Sequence, residues 1–249
     1  MARDAARCAY PRSAARSGAA TAAMPADAPD RYPLDEMLDR VEARIEGLPA
    51  AAMFGLAAEG HDSLYEQLVS CVLSIRTYDE TSWPAARALF ERASTPEAML
   101  GLTRETLVGL IHACTYPEQK ADTILVLSRA IVDAHGGETP TSFEALTAFK
   151  GVGPKCANLA LGVALGVPAI SVDVHVHRVV NRWGLVATKE PKATLAALER
   201  VVPRGRWVDV NRLLMPFGKH VCVNARPRCG TCPVRRWCDH GRGSDGDRA

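Results

Sequence analysis

Apolar positions recur at helical spacing along most of the chain. Leu64, Leu68, Val72 and Ile75 fall three to four residues apart, which marks one face of a helix. The run from Ala121 to Ala134 repeats this with Ile124, Leu127 and Ile131, and His135-Gly136-Gly137 supplies a stop. Thr141-Ser142-Phe143-Glu144 reads as a capping box, so a short helix is predicted to reach Phe149. Further helices are predicted over the apolar stretch from Cys156 to Leu165, over the Val-rich piece after Asp173, and over Pro191–Val201 and Val208–Phe217. Alternation of period two is weak throughout, so the expected fold class is all-α. No window approaches the ~18–20 apolar residues of a membrane span, so the chain reads as soluble, with no membrane partner.

The two ends break the pattern. Residues 1–30 are rich in Ala, Arg, Ser and Pro, and the stretch from Arg3 to Ala26 sets Arg3, Arg7, Arg12 and Arg16 against Asp4. They read as a disordered tail or as sequence upstream of a start at Met24; an Arg-rich transit peptide is the other reading. Residues 241–249 read as a second polar tail.

With 249 residues, 47% hydrophobic and 23% charged, the chain can bury a sizeable core, and disorder throughout is excluded. A net charge of +2 reveals no polyanion partner globally. Locally, Val202 to His240 carries Arg204, Arg206, Arg212, Lys219, Arg226, Arg228, Arg235 and Arg236 against only Asp209 and Asp239. Such concentration is the footprint of phosphate binding, or else a solvated face.

Cysteine usage adds to this. Four of the eight cysteines crowd that same region as Cys222-x6-Cys229-x2-Cys232-x5-Cys238. Thiolates converging at this spacing need a cation. Only Cys229 and Cys232 form a short knuckle, so an iron–sulfur cubane suits the longer arms better than zinc; a Cys229–Cys232 redox pair would leave Cys222 and Cys238 unexplained.

Gly151-Val152-Gly153 lies between two helical patterns. It reads as a tight turn, with Gly supplying positive φ, or as a hairpin whose N–H groups meet a phosphate. Pro154 suits a first helical position, which places Lys155 in the first turn. A cation is poorly placed there, and that positive potential favours the neutral, nucleophilic amine. Asp173, eighteen residues on, reads as the N-cap of the next helix and as a carboxylate held ionised by its N–H groups, with His175 as a support.

Three segments together, Phe149–Ala157, Val172–Val179 and the four-cysteine spacing, resemble the endonuclease III family of helix-hairpin-helix DNA glycosylases, from about Leu34 to His240. The resemblance implies two lobes: a six-helix barrel lobe over 57–167 carrying the hairpin, and a lobe from 31–56 and 168–240. The latter would hold a [4Fe–4S] cluster on Cys222, Cys229, Cys232 and Cys238. It further implies a bifunctional glycosylase and abasic-site lyase of base excision repair, acting as a monomer on damaged double-stranded DNA. Lys155 would be the Schiff-base nucleophile and Asp173 the essential carboxylate, with oxidised pyrimidines as substrates. Arg76, Tyr116, Gly151, Val152, Gly153, His175, Arg178, Arg226 and Arg228 would contact DNA. The expected location is the bacterial cytoplasm with the nucleoid, organelle targeting by the leader remaining open.

The chain departs from the family pattern at several positions. Arg76 stands where relatives usually carry Gln to fill the gap left by the everted base. Thr115 replaces Gly before the wedge residue, Tyr116, and Lys150 and Pro154 also differ. These changes imply an altered damage or opposite-base preference. The alternatives are a glycosylase without lyase action, a non-catalytic binder of DNA structure, and a zinc module.

Overall fold

The structure, a computed structural model, describes residues 31–243. The expected tail over 1–30 and residues 244–249 lie outside the described residues. Among the described residues the chain is helical, without strands. In chain order the α-helices are α1 Leu34–Ile45, α2 Ala52–Ala58, α3 Leu64–Ser74, α4 Asp79–Phe90, α5 Pro96–Leu100, α6 Arg104–Leu110 and α7 Pro117–His135. They continue with α8 Phe143–Ala148, α9 Pro154–Leu165, α10 Val174–Trp183, α11 Pro191–Val201, α12 Trp207–His220 and α13 Asp239–Gly243. No helix among them is long and apolar enough to cross a membrane.

Local chemistry sets the ends. Ser63 and Glu66 form a reciprocal capping box on α3. Gly136 closes α7 in the left-handed conformation. At α8 the cap is Ser142, whose side chain accepts from Ala145 N–H, so the expected Thr141–Glu144 box does not form. Residues 241–243, expected in the polar tail, instead close α13, and Gly241 is buried against Arg235 and Cys238.

Two cores form. The first gathers α2 to α9 around α3, which packs against α9, α4, α2 and α7. Surrounded in this way, α3 is buried from Leu64 to Leu73, including Glu66, Gln67 and Ser70. It is a central helix, not the one-faced helix its spacing predicts. The second core joins Tyr32 and α1 to α10, α11, α12 and the segment up to Cys238. Met53 and Leu56 pack in the first core, so that core begins ahead of residue 57. The chain thus leaves the second core after α1 and returns to it at Ile170.

Helices α10 and α12 approach closely at Gly218. A Cβ there would lie 2.9 Å from the Cβ of His175 and 3.2 Å from Val179. Neither atom belongs to a flexible side-chain end, so the helices would have to separate. Gly218→Ala is therefore expected to cost about 1–3 kcal/mol and lower Tm by several degrees. Thermal unfolding followed by circular dichroism checks this, and an unchanged Tm would contradict the close approach.

Candidate functional site

A cavity of about 140 Å³ opens between the two cores. Lys155 reaches it from the first turn of α9, with Gly153 as N-cap and Pro154 at the first helical position, as the sequence predicts. Asp173 reaches it from the N-cap of α10. Its Oδ1 accepts from the N–H groups of His175 and Val176, both at 2.8 Å. Residues eighteen apart in sequence therefore line one space, because two helices from different cores begin at its wall.

Other groups complete the wall. Asp79, at the start of α4, accepts from Ala52 N–H at 3.3 Å, and burial pushes its carboxyl above the ordinary aspartate range. Burial holds the His175 imidazole below its usual range, so it is largely neutral near pH 7. Lys219 is 2.7 Å from Glu80. Asp79 and Asn211 were not singled out from sequence, and Lys219 appeared there only as one basic residue of a run. An acid in the first turn of a helix is ordinary, and nothing in the pattern separates Asp79 from that use.

The hairpin before α9 has unequal glycines. Gly151 has φ +90°, and a Cβ there would lie 2.5 Å from Thr123 Cγ2. Gly153 is extended, and nothing lies within 4 Å of an added Cβ. The fold requires the first glycine and leaves open space beside the second. Val152 is buried, and its N–H donates to Phe149 O at 3.1 Å. That N–H is consumed internally, so the expected donation from Val152 to a phosphate is corrected.

Comparison with known proteins bears on this geometry. A family model described as HhH-GPD superfamily base excision DNA repair protein matches residues 69–204. An endonuclease III from Thermotoga maritima is 38% identical over 175 residues, covering 70% of this chain and 82% of that protein. The chain belongs to the endonuclease III family. An endonuclease III-like protein 1 from Bos taurus is 38% identical over 205 residues, covering 81% of this chain and 67% of that protein. A solved non-covalent endonuclease III–DNA complex matches with a TM-score of 0.75 at 27% identity, covering 87% of this chain and 99% of the other. A trapped endonuclease III–DNA covalent intermediate matches with a TM-score of 0.74 at 27% identity, covering 86% and 98%.

Within this endonuclease III fold, two loops stand out. Among the described residues, the non-glycine residues with positive φ are Arg76 (53°) and Tyr116 (57°). These are the two positions expected to enter DNA, and both are exposed. Left-handed backbone is disfavoured for such residues and persists where surroundings enforce it. Lys120 supplies the enforcement. It is 6% exposed and donates to Leu73 O and Thr77 Oγ1, both at 2.6 Å. Thr77 Oγ1 also accepts from Thr115 N–H at 3.1 Å. One buried ammonium thus ties the Arg76 loop to the Tyr116 loop.

The four cysteines Cys222, Cys229, Cys232 and Cys238 line one pocket with Trp183, Phe217 and Val221. Burial raises the Cys238 thiol, and pushes Cys232 up to about 11. Gly241 N–H donates to Cys238 Sγ at 3.3 Å, and Arg182 donates to Cys222 Sγ at 3.5 Å. Among the described residues, no three His, Cys, Asp or Glu side chains converge on a single metal ion.

The charged side chains here are engaged within the fold. Arg178, expected to contact DNA, donates to Gly218 O at 2.7 Å and Cys222 O at 3.2 Å, so its guanidinium also clamps the cysteine segment. Much of the basic run is paired: Arg206 with Asp39, Arg212 with Glu42 and Asp209, Arg236 with Glu36 and Lys219 with Glu80. Arg226 and Arg228 are exposed beside the cysteines.

Replacing Lys120 with Met keeps the bulk and removes the donor. Leu73 O and Thr77 Oγ1 would then be left without it, at a cost of about 1–3 kcal/mol. Hydrogen exchange is expected to accelerate together in 73–78 and 113–117, by roughly tenfold or more. Acceleration in one loop alone would refute the tie.

Proposed function

We propose that this endonuclease III family member is a bifunctional DNA glycosylase and abasic-site lyase that removes oxidised pyrimidines in base excision repair, working as a monomer on damaged duplex DNA. The observation that carries this is the shared cavity: an amine from one helix start and a carboxylate from another meet the same space. The chain's likeness to an endonuclease III trapped as a covalent DNA intermediate supports the reading.

The duplex would lie across the mouth of the cleft, between lobes built on the two cores. Gly153 supports close approach by a phosphate, since nothing in the fold fills the space beside it. Exposed Arg226 and Arg228 would add phosphate contacts. Tyr116 would wedge into the stack and Arg76 fill the gap, held in register through Lys120. The damaged nucleotide would then turn out into the cavity.

The chemistry follows from the two groups. As the glycosidic C–N bond breaks, positive charge grows on the sugar, and the Asp173 carboxylate stabilises it. The Lys155 amine attacks C1′ and the base departs with the bonding electrons. The attacking nitrogen gives up a proton, the ring opens as O4′ leaves C1′ and takes up a proton, and a protonated Schiff base remains. That iminium acidifies the C2′ hydrogens, so loss of one expels the 3′ phosphate by β-elimination and the strand is cut 3′ to the lesion.

The cysteine pocket fits a [4Fe–4S] cluster. Four thiols in an apolar pocket need a cationic centre to ionise, because the thiolates would repel one another, and a cubane holds its ligands further apart than one zinc ion does. Cys222, Cys229, Cys232 and Cys238 would hold it, and it would supply structural support for the segment bearing Arg226 and Arg228. Purified protein is expected to carry four iron and four sulfide per chain; zinc without sulfide would overturn this.

The decisive assay uses thymine-glycol and abasic duplexes with borohydride trapping. Wild type should crosslink and cut. Lys155→Ala should give no crosslink and lose scission on the order of 10³-fold. Asp173→Asn retains a capping side chain, so it should fold while losing base excision on the order of 10²-fold or more. Scission unaffected in Lys155→Ala would overturn the proposal.

A further inference from the structure

The cavity carries an aromatic group that the mechanism above does not use. We propose that Tyr78 is the surface on which the everted base stacks, and that it biases this chain toward lesions whose ring stays planar. The inference rests on the function proposed above and names what that site selects.

Tyr78 lines the cavity that holds Lys155 and Asp173. It is 82% exposed, the most exposed of the large hydrophobic residues described. Exposure forfeits the burial energy an aromatic ring normally gains, so the fold itself draws little from this side chain. Its backbone is nevertheless fixed. Tyr78 is the N-cap of α4, and its carbonyl accepts from Thr81 and Ser82 N–H, both at 2.9 Å. Its neighbours are fixed as well: Thr77 through Lys120 at 2.6 Å, and Asp79 through Ala52 N–H at 3.3 Å. An anchored segment therefore holds an unpacked ring at the rim of the reactive space. Leu159 and Met215 add apolar wall to the same cavity.

A phenol ring so placed offers a π-face to any base, and stacking of this kind does not read hydrogen-bond patterns. It does read shape. A pyrimidine oxidised at C5 with its ring double bond intact is flat and can lie against the ring. A pyrimidine saturated at C5 and C6 is puckered, with substituents out of plane, and loses much of that contact. Tyr78 is distinct from the wedge: Tyr116 stands in the other loop, in left-handed backbone.

The test compares wild type, Tyr78→Ala and Tyr78→Phe on three duplexes, containing 5-hydroxycytosine, dihydrothymine or a preformed abasic site. With 5-hydroxycytosine, Tyr78→Ala should lower kcat/KM about tenfold, and Tyr78→Phe, which keeps the ring, should stay within about twofold of wild type. With dihydrothymine the loss should be about twofold or less. Scission and borohydride trapping on the abasic duplex, where there is no base to stack, should not change. Equal losses on all three duplexes, or no loss on 5-hydroxycytosine, would overturn the role of Tyr78. A wild-type protein unable to cut the abasic duplex would strike at the lyase reading instead. Because the side chain is exposed, Tm should be the same in all three proteins, and a fall in Tyr78→Ala would point to a structural role and against this one.

Discussion

The Asp173 carboxylate is the constraint on which the cleft depends. One oxygen takes two backbone N–H groups at the start of α10, and that bond pair decides where the helix begins. The residue cannot move toward solvent without uncapping the helix, and the helix cannot shift without moving the charge. A capping acid usually serves only the helix, where it contributes about 1 kcal/mol. Here the same residue also lines the cavity that Lys155 reaches. The precision that the proposed chemistry asks of it is inherited from secondary structure. The close contact of α10 with α12 at Gly218 carries that precision into the second core.

The second core is assembled from distant pieces of chain, and its charges show how. Acids on α1 pair with Arg206, Arg212 and Arg236, which lie more than 150 residues later. Several of these pairs are well exposed, so each contributes only ~0–1 kcal/mol. Their effect is better seen as orientation: they fix α1 across α12 and the cysteine segment, and they cancel charge that would otherwise repel itself. What remains for a polyanion is narrower than the sequence implies. It includes exposed Arg204 and, next to the cysteine pocket, Arg226 and Arg228. Positive potential is thus placed by subtraction.

The helices were largely legible because their boundaries rest on local chemistry. Pro191–Val201 matches its predicted limits, α10 begins after Asp173, and α7 ends at Gly136. The pairing of Lys155 with Asp173 in one cavity was legible only through resemblance, since spacing alone does not say that two helix starts will meet. Contacts made by long side chains were not legible at all. Arg178 reads as a DNA contact, and nothing in the spacing shows that its guanidinium also holds Gly218 and Cys222 carbonyls forty or more residues away. Lys120, which nothing in the sequence pattern singles out, is buried against a loop 43 to 47 residues earlier. The same holds for α3, whose three-to-four spacing marks one face although every side from Leu64 to Leu73 is covered. Periodicity reports a preference for burial, and neighbours decide how far it goes.

The departures from the family pattern look different once the backbone is considered. Thr115 stands where a glycine is usual, and a glycine would be needed if that residue had to be left-handed. It does not: the left-handed residue of the loop is Tyr116, and Thr115 uses its N–H to reach Thr77. The strain, of order 1–2 kcal/mol per left-handed residue, therefore falls on Tyr116 and not on Thr115. Arg76 bears the same strain in the opposing loop. Neither side chain is buried, so neither is held in place by its own packing. Both are held by Lys120, whose burial lowers its affinity for a proton but whose two oxygen acceptors keep it bound between the loops. Two exposed, strained residues on one buried cation form a device that costs stability in the free protein. Under the proposed reading the strained shape is the one that meets DNA, so residues 76 and 115 would alter what the loops present while Lys120 keeps the means of presenting it intact.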